Sequence, residues 1–268
     1  MKKTIAILTA LAMLFALAGC TPQIIDGDGM VDEAEACTLN VFAAASMRET
    51  LTELQTVWNE KYEPNIELVL TLDSSGTLKT QIEEGAACDV FISAAQKQMN
   101  QLEELNMVDT DSRVDLLENK CALVVPAGNP AGIASYDDLG TDKLSLIALG
   151  NSDVPVGQYS EEILTFMGLW DGLNADGKIT FGSNVKEVAS WVSEGTVDCG
   201  IVYGTDAAAA GLEVVAYPPE GSHSPVIYPA AIMADTEYPD QAARFMSFLQ
   251  SADAKAVFEA AGFAVVGE

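Results

Sequence analysis

From residue 38 onward, short apolar runs alternate with segments whose apolar positions return at helical spacing. Residues 39–45 read as a strand, and Met47, Leu51, Leu54 and Trp58 then recur at i, i+4, i+7 and i+11, one face of a helix. Residues 66–72 form a second strand, and Leu78 with Ile82 marks a short helix stopped at Gly85. The pattern predicts further strands over 89–94, 121–128, 144–150, 178–182, 199–204, 213–218 and 226–233. Helices are expected over 99–105, 163–170 and 185–192, and two more near 240–261. Strand and helix alternating in this way is the signature of βαβ units and an α/β fold.

Two runs, 122–127 and 225–233, lack the expected helix beside them and are flanked by Pro or Gly. They read as crossings between two lobes. The first lobe would be discontinuous, residues 38–123 plus 229–268, with the second, 124–228, inserted, and a cleft would fall between them. Trp58, Trp170 and Trp191 sit on apolar helical faces and read as core. His223, in a Gly-Ser-His-Ser loop before the return crossing, reads as a surface or hinge residue.

The N-terminus changes the compartment. Lys2 and Lys3 precede an apolar run over 5–17 and then small residues, a secretory signal peptide over 1–19 that is too short for a membrane span. Leu17-Ala18-Gly19-Cys20 reads as a lipobox, which makes Cys20 the lipidated first residue of the mature chain and the lipid its sole membrane contact. Residues 20–37 would then be the lipidated cysteine and an acidic tether. Asp26, Asp28 and Asp32 lack the spacing of a calcium loop. The chain is thus expected outside the cytoplasm, anchored as a lipoprotein.

Charge narrows the partners. Thirteen Lys and Arg against 40 Asp and Glu give −27, and loss of the signal peptide makes the mature chain more acidic still, a field that repels nucleic acid and anionic lipid. With one histidine in 268 residues, sites built from several imidazoles are excluded. Cys37, Cys88, Cys121 and Cys199 permit three disulfide pairings or none.

Ligands of open α/β sheets sit beyond the carboxyl ends of the strands, so the turn after each strand is informative. Ser46-Met47-Arg48-Glu49 reads as a capping box. Ser74-Ser75-Gly76-Thr77 opens another helix, Pro155 sits near the first turn of a third, and Asn184 with Glu187 is spaced as the cap of a fourth. Each alone is ordinary N-capping. Together they bring small side chains and unpaired helix-terminal N–H groups to one place, where they can hold a small anion without any Lys or Arg.

VFAAAS at 41–46, SSGTLKTQIEEGAACDVFISA at 74–94, VPVGQY at 154–159, GIVYGTDA at 200–207 and SHSPVIYPAAI at 222–232 resemble, in order and at compatible spacing, the molybdate-binding proteins of bacterial ABC importers. The resemblance spans residue 38 to the end. It implies the type II periplasmic-binding-protein fold: two doubly wound sheets joined by two crossing strands, the ligand cleft between them. It implies a monomer that takes molybdate or tungstate as ligand, needs no cofactor and no metal as a free cation, and delivers the oxyanion to a membrane permease with a cytoplasmic ATPase. Carried over position by position, Ser46 and Ser75 would give hydroxyls and amides, Val156 and Val185 backbone amides, and Tyr203 its phenol; Ser74 stays open as the alternative to Ser75.

A binding protein selective for another tetrahedral oxyanion, whether tungstate, sulfate or phosphate, is the rival reading, though sulfate is smaller and would leave donors stretched. A secreted serine enzyme is the rival class. Ser183 to Lys186 fits S-x-x-K, but the K-T-G and S-D-N partners of that motif are absent, as are G-x-S-x-G and a Walker A loop. The reading is therefore not an enzyme.

Overall fold

The structure, a computed structural model, describes residues 36–267. The expected signal peptide, Cys20 and the tether up to residue 35 lie outside the described residues.

The first segment runs through β1 (Cys37–Ala44), α1 (Arg48–Lys61), β2 (Ile66–Asp73), α2 (Ser75–Glu83), β3 (Val90–Ile92), α3 (Gln96–Glu104) and β4 (Val114–Asn119). The middle segment forms β5 (Cys121–Val125), β6 (Ile147–Gly150), α4 (Pro155–Phe166), α5 (Trp170–Ala175), β7 (Ile179–Gly182), α6 (Val185–Ser193), β8 (Cys199–Tyr203), α7 (Gly204–Ala210) and β9 (Glu213–Ala216). The chain then returns through β10 (Val226–Ile232), α8 (Pro239–Leu249), α9 (Ala252–Ala260) and β11 (Ala264–Val265).

These strands make two sheets, one in the order β11-β4-β10-β3-β1-β2 and one in the order β7-β6-β8-β5-β9. Strands joined through helices pair in parallel: β1 with β2 and β3, and β6 with β7 and β8. The strands next to the crossings are antiparallel to their neighbours, β10 against β3 and β4, and β5 against β8 and β9. They start at the junction between the sheets, where the parallel strands end, so they must run the opposite way. The architecture is the two-lobed α/β fold expected, with mixed rather than purely parallel sheets.

The lobe boundaries shift by a few residues. β5 lies wholly in the second sheet and β10 wholly in the first, so the chain changes lobe at Lys120 and within residues 217–225, not at 123/124 and 228/229. An apolar run carries no mark of which sheet it joins; the mark is the polar Asn119-Lys120 step. β4 carries no period-2 signal in the sequence, because its two buried residues, Leu116 and Leu117, are adjacent. The helix expected over 163–170 divides instead. α4 begins at Pro155, whose fixed φ suits a first helical position, and Gly168 at φ 71° ends that helix before α5 starts.

Each lobe packs helices against its sheet. On α1, Leu51, Leu54 and Trp58 are buried as the periodicity requires, and Trp58 packs on Phe245 and Phe248 of α8 while its indole N–H donates to the Ile66 carbonyl at 3.1 Å. Trp170 and Trp191 pack against the core but stay half-buried. Cys88, Cys121 and Cys199 are buried thiols joined in no disulfide among the described residues, and burial raises the pKa of each.

Candidate functional site

The carboxyl ends of β1, β2, β6, β7 and β8 and the helices that follow them converge between the sheets. The cavity there is lined by Ala44, Ala45, Ser46, Asp73, Ser74, Ser75, Ala94, Val154, Pro155, Val156, Val185 and Tyr203. All five residues singled out from the sequence, Ser46, Ser75, Val156, Val185 and Tyr203, stand on this one wall, drawn from both lobes. Among the described residues no Lys or Arg lines it.

Local structure sets what each group can do. Ser75 is the first residue of α2, and its Oγ accepts from the Ala94 N–H at 3.0 Å, so its own proton is left to donate. Ser74 is the N-cap of α2: its Oγ accepts from the Thr77 N–H at 3.1 Å and lies 2.8 Å from Thr77 Oγ1. Val156 follows Pro155 in the first turn of α4, and Val185 opens α6. Helix-terminal amides have no intrahelical acceptor, and neither valine N–H has a partner among the described residues. The apolar side chains wall the cavity while the amides carry the polarity.

Tyr203, at the end of β8, is 1% exposed, and its hydroxyl has no hydrogen-bond partner among the described residues. Burial, reinforced by neighbouring Tyr228, raises its pKa well above the usual range, so the phenol keeps its proton. A buried hydroxyl without a partner costs about 1–3 kcal/mol, a cost recovered when an acceptor arrives.

The capping box expected at Ser46 is not formed. Residues Ala45–Met47 make one 3-10 turn, α1 takes Met47 as its N-cap, and the Ser46 hydroxyl lies 2.9 Å from the Tyr228 hydroxyl instead. The turn moves the helix start past Ser46, and this releases its side chain towards the cavity. At α6 the cap forms: Asn184 Oδ1 accepts from the Glu187 N–H at 3.1 Å, and Glu187 accepts from the Ser183 N–H and hydroxyl. The S-x-x-K match at 183–186 is thus a helix cap, not a nucleophile and its base.

Of the charged side chains among the described residues, Asp73 lines the cavity, while Lys186, Glu49 and Asp206 pair beside it. Asp73 Oδ1 accepts from the Ser74 N–H at 2.7 Å and from the Asn184 amide at 3.2 Å, the latter across the lobes. Lys186 reaches Glu49 of the other lobe at 2.6 Å and Asp206 of its own at 3.0 Å. Burial alone would lower the Lys186 pKa, but the two carboxylates override it and raise it. The sequence assigns no role to Asn119, Tyr228 or Asp206, although the last two lie inside the motifs at 222–232 and 200–207, and it presents Lys186 only as the end of the S-x-x-K match. His223, at the loop where the chain returns, stacks edge-on with Tyr159, 5.7 Å between centroids, and does not line the cavity.

The cavity between the lobes is narrow in this structure.

A family model described as bacterial extracellular solute-binding protein matches residues 39–264. The chain is 35% identical over 264 residues to a putative ABC transporter substrate-binding lipoprotein of Bacillus subtilis, covering 98% of each chain. It is 35% identical over 248 residues to the molybdate-binding protein ModA of Haemophilus influenzae, covering 91% of this chain and 96% of that one. Among solved structures, the periplasmic molybdate-binding protein of Azotobacter vinelandii superposes with a TM-score of 0.76 at 26% identity, covering 85% of this chain and all of the other.

Proposed function

As this chain belongs to the bacterial extracellular solute-binding protein family, a family of extracytoplasmic binding proteins rather than enzymes, we propose that it captures molybdate through neutral hydrogen-bond donors and hands it to an ABC importer. The observation that carries this reading is the Tyr203 hydroxyl, buried and without a partner, on the wall of a cavity that also holds the Ser46 and Ser75 hydroxyls and the unpaired amides of Val156 and Val185. Such a site holds a tetrahedral dianion by charge-assisted hydrogen bonds and helix-terminal dipoles. It buries no fixed cation, which would cost free energy whenever the ligand left.

The donors come from both lobes, so the anion completes its shell when the cleft shuts on it by hinge motion at the two crossings. The closed form is what the membrane permease, driven by its cytoplasmic ATPase, takes as cargo carrier. The protein acts as a monomer and is held at the membrane by lipid on Cys20. Tungstate, a dianion of nearly the same size and shape, is a ligand too. The names of the Haemophilus and Azotobacter relatives support molybdate over sulfate.

Ligand-linked unfolding tests the reading. Molybdate at about a hundred times its Kd raises stability by about 2.7 kcal/mol, and small-angle scattering should show a more compact particle. A melting temperature indifferent to molybdate would defeat the proposal.

A further inference from the structure

Tyr228 lies on β10, fully buried, with its hydroxyl oxygen 2.9 Å from Ser46 Oγ and 3.4 Å from Asn119 Nδ2. The Asn119 side chain has a defined orientation, because its Oδ1 accepts from the Lys120 N–H at 2.8 Å and its Nδ2 donates to Thr205 Oγ1 at 2.9 Å. An amide nitrogen donates and cannot accept. The phenol proton of Tyr228 therefore has one acceptor among its neighbours in the described residues, Ser46 Oγ. A serine oxygen that accepts there must send its own proton elsewhere, and the cavity that Ser46 lines is the open direction.

We propose that Tyr228, oriented by Asn119, is a positioning residue that fixes the Ser46 hydroxyl as a donor and so makes the site select oxyanions that carry no proton. This rests on the oxyanion reading above and deepens it. The other groups share the same polarity. Ser75 Oγ accepts from Ala94 and is left to donate, Tyr203 keeps its proton, and backbone amides only donate. Asp73 also lines the cavity; its Oδ1 accepts from Ser74 and Asn184, which leaves Oδ2 as the acceptor available there. At the Ser46 side an anion with its own O–H leaves one donor facing another.

Sulfate and hydrogen phosphate provide the test, since at pH 8 they share a charge of −2 and nearly one size but differ by that proton. Each is titrated against bound molybdate in the full chain. In the unaltered protein sulfate should compete at least about tenfold better than hydrogen phosphate. Tyr228→Phe keeps the ring that packs on Tyr203 and Phe263 but frees Ser46 to accept. It should lower molybdate affinity about tenfold and shrink the sulfate preference to about twofold. Asn119→Asp gives the phenol a carboxylate to donate to and reverses the chain without touching the ring. Its added charge cancels in the ratio of two dianions, so the same loss of preference is expected. In a Ser46→Ala background Tyr228→Phe should cost less than twofold. A preference for sulfate unchanged in both variants, costs that multiply in the double variant, or an unaltered protein that favours hydrogen phosphate would overturn the proposal. If molybdate fails to bind the unaltered protein, it is the oxyanion reading that falls; if molybdate binds and the ratio does not move, only the role of Tyr228 does.

Discussion

The Gly76 N–H, in the first turn of α2, donates to the carbonyl oxygen of Asp153 at 3.0 Å and thereby joins the two lobes. The contact leaves no room for a side chain: a Cβ at Gly76 would stand 2.2 Å from that oxygen and 2.8 Å from the Asp153 Cβ. Both neighbours belong to the other lobe, so an added methyl group obstructs closure without disturbing the fold of α2. Gly76→Ala should lower molybdate affinity by about tenfold or more while leaving the ligand-free melting temperature nearly unchanged. Scattering of the saturated variant should stay at the expanded dimension of the open form. Full affinity in this variant would mean that binding does not need the lobes to meet.

Side-chain and backbone donors predict different mutant behaviour. Ser46→Ala and Ser75→Ala each remove a hydroxyl from a charged ligand in a closed site, a loss on the order of 1.5–3 kcal/mol, or tenfold and more in Kd. Val185→Ala keeps the amide that faces the cavity and should change Kd little, with a modest loss of stability from the trimmed core contact. Titration calorimetry on the three variants measures this; equal losses would reduce these turns to plain helix caps.

Asp206 gives the fold a pH dependence of its own. Its carboxylate is fully buried, and Lys186 Nζ lies 3.0 Å from Oδ1. Burial raises its pKa from 3.8 to about 6, against the pull of Lys186. The folded state therefore holds this proton more tightly than the unfolded chain. Its stabilising effect is full below pH 3.8 and is lost as pH rises to about 6, roughly 3 kcal/mol in all. Asp206→Asn cannot titrate there. Denaturant unfolding of the two proteins should show the unaltered one losing stability relative to the variant from pH 4 to 6, with a constant difference above pH 7. A constant difference across the whole range would contradict the assignment.

Anchoring is separable from binding. Cys20→Ser should release the protein or leave its precursor unprocessed, with Kd for molybdate unchanged, as read by metabolic lipid labelling and calorimetry. Labelling that persists in the variant would place the lipid on another residue.

The sequence made legible those features that depend on local pattern. The α1 face at Leu51, Leu54 and Trp58 follows from spacing alone, as does the cap formed by Asn184 and Glu187. Local pattern placed helix starts after the strand ends, while Ser46, Ser75, Val156, Val185 and Tyr203 came from the family resemblance, and the structure brings them to one cavity. What stayed hidden depends on residues far apart in the chain. Tyr228 meets Ser46 across 182 residues and Lys186 meets Glu49 across 137, so neither pair leaves a local periodicity. The failed capping box at Ser46 is instructive, because its residue types were right and a 3-10 turn still displaced the helix start. The lobe boundaries slipped for a similar reason: an apolar run joins either sheet equally well, and its pairing partners decide which.

The most direct test is calorimetric titration of the purified chain with molybdate, tungstate, sulfate and phosphate in turn. The account predicts one site per chain, with molybdate and tungstate bound alike and each at least a hundredfold tighter than sulfate or phosphate. Sulfate bound as tightly as molybdate, or no heat of binding from any of the four, would contradict it.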